Sequence, residues 1–201
     1  MAARTWRWDP LSTVVKLRRQ SVDPLTVDAS TPYVGLEHIA SGTGYYAPVT
    51  LREAGVTSGK LRYEAGDLLY GKLRPNLRKC AVAREAGLCS TDILPLTPTE
   101  PEAAAFYAAV LRGDRFTSSV MRLVAGASLP RVSAKDLLHV DVPCPPSEAR
   151  VRLFQEAELI ADARAGVVTL DAKVTELELA FAWRAIGGED EDALSLTGSD
   201  S

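Results

Sequence analysis

The sequence predicts an α+β fold: a mixed, curled β-sheet domain with small helices, followed by one long coiled-coil α-helix. Three observations carry this. Between Tyr33 and Leu96, short apolar runs alternate with glycine-marked turns, the pattern of a sheet built from many short strands. From Glu100 the apolar spacing lengthens to a helical period. From Ser147 to Ile186 there is no proline, the only glycine is Gly166, and apolar residues return every seven positions.

Taken in order, Leu11 to Arg19 (LSTVVKLRR) fits a short strand or helix ending in a basic cluster. Tyr33 to Ile39 (YVGLEHI) reads as a strand, with Ser41-Gly42-Thr43-Gly44 as the turn behind it. Residues 45–59 read as an exposed loop carrying Tyr45 and Tyr46. Lys60 to Tyr63 alternates, Glu64 to Asp67 turns, and Leu68 to Tyr70 is apolar; Gly71 to Asn76 interrupts before a strand at Lys79 to Ala83. Glu85 to Gly87 reads as a turn and Ile93 to Leu96 as a further strand. The many short strands suggest a curled or barrel-like sheet. Helices follow at Glu100 to Leu111, with Pro101 near the start where it is tolerated, and at Arg115 to Leu123. Gly126 to Arg131 is a loop, Ser133 a cap for a helix to Leu138, and Val140 to Pro143 a last strand, closed by Pro143, Pro145 and Pro146.

Ser147 is a candidate N-cap of the long helix, with Glu148 opposing the helix dipole in the first turn. Leu153, Ile160, Val167, Val174 and Phe181 recur every seven residues, and Ala163, Leu170 and Leu177 follow three residues after three of them. That is an a/d seam on a helix roughly 60 Å long. The bland reading lays it on its own domain; the seam's length favours another long helix, and no second one exists in the sequence, so its partner comes from another chain. The organisation expected is a first domain at 1–145, a spacer helix at 146–186 and a disordered acidic tail at 187–201.

Charge divides along the same line. Residues 1–145 carry 18 Lys+Arg against 14 Asp+Glu, a net of +4; residues 146–201 carry 5 against 12, a net of −7. A nucleic-acid surface therefore belongs in the first part. No apolar run is long enough to span a membrane, and Arg4 and Arg7 have no apolar stretch behind them that would make a secretory signal. Cys80, Cys89 and Cys144 follow no zinc spacing, and His38 and His139 stand alone, so these are read as buried or incidental residues in a reducing cytoplasm. No nucleophile, metal, P-loop or methyltransferase motif occurs; the expectation is a protein that is not an enzyme and holds no cofactor or metal.

The basic run is the informative feature. Lys60, Arg62, Lys72, Arg74, Arg78, Lys79 and Arg84 are opposed between 60 and 84 only by Glu64 and Asp67. Lys72 and Arg74 flank Leu73 in a turn made by Gly71 and Pro75 and so project from a stiff loop. Such cations hold phosphate oxygens, and arginine also pairs with guanine O6 and N7. Asn76 could pair with adenine or simply make the turn; Arg131 and Ser128 form a second candidate contact, with Tyr45 and Tyr46 as candidate aromatic contacts. Charge alone leaves a solvated basic face equally open.

At these residues the chain resembles one half of the specificity subunit of type I restriction-modification systems. The matching segments are YVGLEHI, EAGDLLYGKLRPNLRKCAVA, GLCSTDILPL, FYAAVL with RFTSSVM, GASLPRVSAKDLLHVDVPCPP and the long helix, together about residues 30–186. Where that family usually has Glu-Gln after the paired prolines, this chain has Ser147-Glu148-Ala149. The resemblance implies a target-recognition domain whose loops enter the major groove of a half-site. It implies a spacer helix that docks a DNA methyltransferase or restriction subunit in phage defence. A full subunit of that family carries two such domains and two such helices. Two copies of this chain, paired through the seam, would rebuild that arrangement as a homodimer on a bipartite site of double-stranded DNA. The alternative is an adaptor of the same fold whose surface is turned to a protein.

Overall fold

A computed structural model describes residues 6–125 and 129–185; for residues 172, 175, 176 and 178–185 only the backbone is described. The chain divides into two compact units, Met1–Arg164 and Ala165–Ser201.

The first unit is built from eleven short strands among the described residues, in three open sheets rather than a closed barrel. β1 (Arg7–Pro10) pairs antiparallel with β11 (Asp141–Cys144), Arg7 opposite Cys144 and Pro10 opposite Asp141. The second sheet is β2 (Val15–Leu17), β10 (Ile93–Pro98), β7 (Leu68–Gly71) and β8 (Cys80–Val82), in that order and wholly antiparallel. The third is β3 (Ser21–Val22), β6 (Lys60–Tyr63), β9 (Gly87–Cys89), β4 (Pro32–Val34) and β5 (Val49–Thr50). It is mixed, because β4 and β9 run parallel.

Leu11 to Arg19 divides into a 3-10 turn, Leu11–Thr13, and β2. The strand expected over 33–39 stops at Val34: Gly35 donates its N–H to His38 Nδ1 at 2.9 Å, which winds Leu36–His38 into a 3-10 turn. The loop expected over 45–59 is partly ordered. β5 runs into a one-turn helix, α1 (Leu51–Ala54), closed by a reciprocal cap: Glu53 N–H donates to Thr50 Oγ1, and Thr50 N–H donates to Glu53 Oε2. Gly87 begins a strand instead of finishing a turn. A Cβ there would stand 2.4 Å from the Pro32 carbonyl oxygen and 2.6 Å from the Tyr63 hydroxyl, so glycine serves close packing.

Helices α2 (Ala104–Arg112) and α3 (Asp114–Met121) bury Tyr107, Leu111, Phe116 and Val120 in the core shared with β2, β7 and β10, where the Tyr70 and Phe116 rings meet edge to face at 6.1 Å. Ser133 Oγ accepts the Asp136 N–H at 3.0 Å and caps α4 (Ala134–Leu138), as the sequence suggested.

The long helix, α5 (Ser147–Ala185), begins after the prolines. Ser147 is its first residue, and the Ala149 N–H already donates to the Pro146 carbonyl, so the cap lies one residue earlier than expected. Its opening turns belong to the first unit: Phe154 is buried against Phe106 and Tyr107, while Arg150 donates to Glu100 at 2.9 Å. Ile160 and Ala163 are exposed, and Leu153 is half-buried. In the second unit Val167, Leu170, Val174 and Leu177 are all exposed. The side chain of Phe181 and the tail at 187–201 lie outside the described residues. Among the described residues, no helix is long and apolar enough to cross a membrane.

Candidate nucleic-acid interface

The basic segment after β7 is locally strained. Arg74 and Arg78 are the two non-glycine residues with positive φ among those described, at 50° and 53°, and they bracket a 3-10 turn at Pro75–Leu77. Each such conformation costs of order 1 kcal/mol and persists only where its surroundings hold it. Here the surroundings are two other loops. The Arg74 N–H donates to the Pro130 carbonyl at 2.7 Å, and Val132 N–H donates to the Lys72 carbonyl at 3.1 Å, so Leu73 and Arg131 face each other as an isolated antiparallel bridge. Arg131 also exchanges N–H···O bonds in both directions with Ala125. On the other side Gly42 N–H donates to the Arg78 carbonyl at 3.3 Å. Gly44 is required there: its φ is +84°, and a Cβ would meet the Arg112 guanidinium at 2.6 Å. The Arg112 Nη1 in turn donates to the Cys80 carbonyl.

Three segments far apart in sequence, around Gly42, Lys72–Lys79 and Arg131, thus meet. The side chains of Lys72, Arg74 and Asn76 make no hydrogen bond or ion pair among the described residues; Arg74 and Asn76 are exposed and Lys72 half-buried. Arg131 is exposed and paired with Asp92 at 3.0 Å, and Arg78 is paired with Asp114.

The other expected contacts are spent within the fold. Lys60 is buried, its ammonium donating to the Ser58 carbonyl and hydroxyl, both at 2.7 Å. Lys79 donates to the Leu36 carbonyl at 2.6 Å, and Arg62 is paired with Glu64 at 2.8 Å. Tyr46 is buried, its hydroxyl accepting the Arg84 N–H at 2.7 Å; burial pushes that phenol's pKa up. Tyr45 is half-buried beside the Gly44 turn. Ser128 lies outside the described residues. Asp92 and Asp114 carry no local sequence signal, because their partners Arg131 and Arg78 each stand over thirty positions away in the chain.

The described residues hold no cluster of three or more His, Cys, Asp or Glu side chains placed for a metal ion. Cys80, Cys89 and Cys144 are all buried free thiols, and burial pushes Cys80 and Cys89 up to about 12, which makes them inert packing groups.

No family model matches the chain. Among curated proteins, it is 30% identical over 212 residues to the type I restriction enzyme EcoDI specificity subunit of Escherichia coli, covering 95% of this chain and 47% of that one. This chain resembles half of a type I specificity subunit. Among solved structures, the HsdS subunit of Thermoanaerobacter tengcongensis matches with a TM-score of 0.61 and 26% identity, over 93% of this chain and 51% of that one. A chain from a structure describing complex assembly and conformational transition of the type I R-M system superposes with a TM-score of 0.64 over 99% of this chain; at 22% identity that likeness concerns the fold alone. The chain spans about half the length of each of these specificity-subunit relatives. The mixed sheets, small helices and long helix found here are the architecture expected from the resemblance.

Proposed function

We propose that this chain is a non-catalytic, sequence-reading subunit of a type I restriction-modification or related phage-defence assembly. Its first domain binds one half-site of double-stranded DNA with the surface made by Lys72, Arg74, Asn76, Arg78 and Arg131. Its long helix spaces that domain from a second one and positions a methyltransferase or restriction subunit on a bipartite site.

The observation that supports this best is the joining of the Lys72–Arg78 turn to the Arg131 strand by backbone hydrogen bonds. It gathers cations from two loops into one exposed surface while the remaining lysines of the basic run are tied into the fold. Lys72 and Arg74, without side-chain partners among the described residues and on a backbone held by its neighbours, suit phosphate contact, because little backbone ordering entropy remains to be lost on binding.

The exposed seam of Ile160, Ala163, Val167, Leu170, Val174 and Leu177 supports a second copy as the helix partner. An antiparallel pair of such helices would carry two reading domains related by a twofold axis, which suits an inverted repeat.

Duplex affinity is expected to fall steeply with salt. Lys72→Ala should weaken all sequences alike and lower the slope of log K against log salt by about 1, in fluorescence anisotropy titrations across a salt series. Binding by Lys72→Ala with the wild-type slope would remove this surface from the interface.

A further inference from the structure

Two arginines at this surface are presented differently. Arg74 reaches out from a left-handed backbone position with no side-chain partner among the described residues. Arg131 is anchored at every level. Its backbone bridges Ala125 on one side and Leu73 on the other. Its guanidinium sits 3.0 Å from an Asp92 carboxylate oxygen through one terminal nitrogen, its other donors make no hydrogen bond among the described residues, and the side chain is 52% exposed.

Asp92 is itself fixed. It occupies the tight turn before β10, where its N–H donates to Ser90 Oγ and its carbonyl accepts the Lys72 N–H at 2.9 Å. One residue therefore holds the backbone of the first cationic loop and the side chain of the second. With Arg131 about half-exposed, the ion pair adds little to stability. What it supplies is restraint: the guanidinium is held beside Asp92 instead of sweeping freely over the surface. That matters little for a phosphate, which accepts from many directions. It matters greatly for the paired acceptors of a guanine edge, which need two parallel donors. The Arg78–Asp114 pair lacks this anchoring, because Asp114 is 82% exposed at the start of α3.

We propose that Arg131 is the base-reading residue of this domain, contacting guanine O6 and N7 in the major groove, and that Asp92 is the positioning residue that aims it. This rests on the DNA-binding reading above and assigns one specificity contact within it.

The test is selection of duplexes from a randomised library by the full chain, followed by affinity titrations on the selected site over a salt series. Wild type, Arg131→Ala, Arg131→Lys, Asp92→Ala and the Arg131→Ala/Asp92→Ala double variant are compared, with circular dichroism confirming that each is folded. Wild type should select a guanine at one position that Arg131→Ala no longer selects, a loss of roughly 10- to 100-fold in discrimination there. Its salt slope should stay unchanged. Arg131→Lys, which keeps the charge but not the fork, should fail to restore the preference. Asp92→Ala should relax the same position, and the double variant should be no worse than Arg131→Ala alone. A uniform loss in Arg131→Ala with a lower slope would make Arg131 a phosphate contact and overturn the assignment. So would an unchanged consensus. Failure of the wild type to bind any duplex would instead overturn the DNA-binding reading, and this inference with it.

Discussion

Asp67 is 1% exposed and accepts four hydrogen bonds: from Arg18 Nε at 2.7 Å, Arg18 Nη2 at 3.3 Å, Thr97 Oγ1 at 2.6 Å and the Glu64 N–H at 2.9 Å. Its carboxylate ties the turn before β7 to the segment after β2, and the hydrogen bond that Arg18 donates to it raises the pKa of Arg18. This explains why an acid stands inside the basic run: it is a structural anchor and does not dilute the cationic surface. Removing a buried carboxylate leaves the donors that served it, here Arg18, Thr97 and the Glu64 N–H, desolvated without compensation. Asp67→Ala is therefore expected to lower unfolding free energy by about 3 kcal/mol, read as a shift of the urea midpoint at constant m. Arg18→Leu with Asp67→Leu should cost less than the single loss, because both charges then leave the interior. The sequence showed Asp67 only as one of two acids opposing seven bases. Its role depends on Arg18 and Thr97, which no local spacing connects to it.

At the scale of elements, the long helix was legible because its signal is local and repeated: proline-free sequence and a seven-residue period. The Ser133 cap was legible for the same reason. The pattern Thr50-x-x-Glu53 was equally present and marks α1, but it lay in a segment read as loop because one turn of helix has no periodicity to notice. β1 escaped notice because its partner is β11, at the far end of the domain. The candidate site shows the same division. Its cations were visible as composition, whereas the joining of Leu73 to Arg131 is a non-local pairing that sequence alone does not specify. Sequence also gave no sign that Phe154, one residue after the seam's Leu153, anchors the helix to its domain. Phe154→Ala should cost about 3–5 kcal/mol in the stability of the first unit, measured by thermal or urea unfolding. If the first turns of α5 merely passed over the surface, the loss would stay within about 0.5 kcal/mol.

For the molecule as a whole, the distribution of exposed apolar side chains points to association. Leu159, Ile160, Val167, Leu170 and Leu177 are each 58–70% exposed on one helix, more than a surface helix normally leaves in water. Sedimentation or light scattering should give a dimeric mass at micromolar concentration. Val167→Glu with Leu170→Glu should convert it to monomer without altering the fold of the first unit. The same variant should bind a single half-site with undiminished preference and lose the gain from two correctly spaced half-sites, because linkage raises effective concentration without adding contacts. A persistent monomer of the wild-type chain would assign the seam to a different subunit.

The β1–β11 ribbon has a consequence for how the protein is made. Arg7 leaves the ribosome ahead of the other described strands of the unit, yet its partner, Cys144, emerges only after all of them. The other two sheets can close during synthesis, but this ribbon must wait for β11 and close last, as a long-range contact. The helix begins immediately behind β11, so the closing of the ribbon also fixes where α5 starts. Until then the nascent domain has its cationic surface and no fixed point from which the helix can extend.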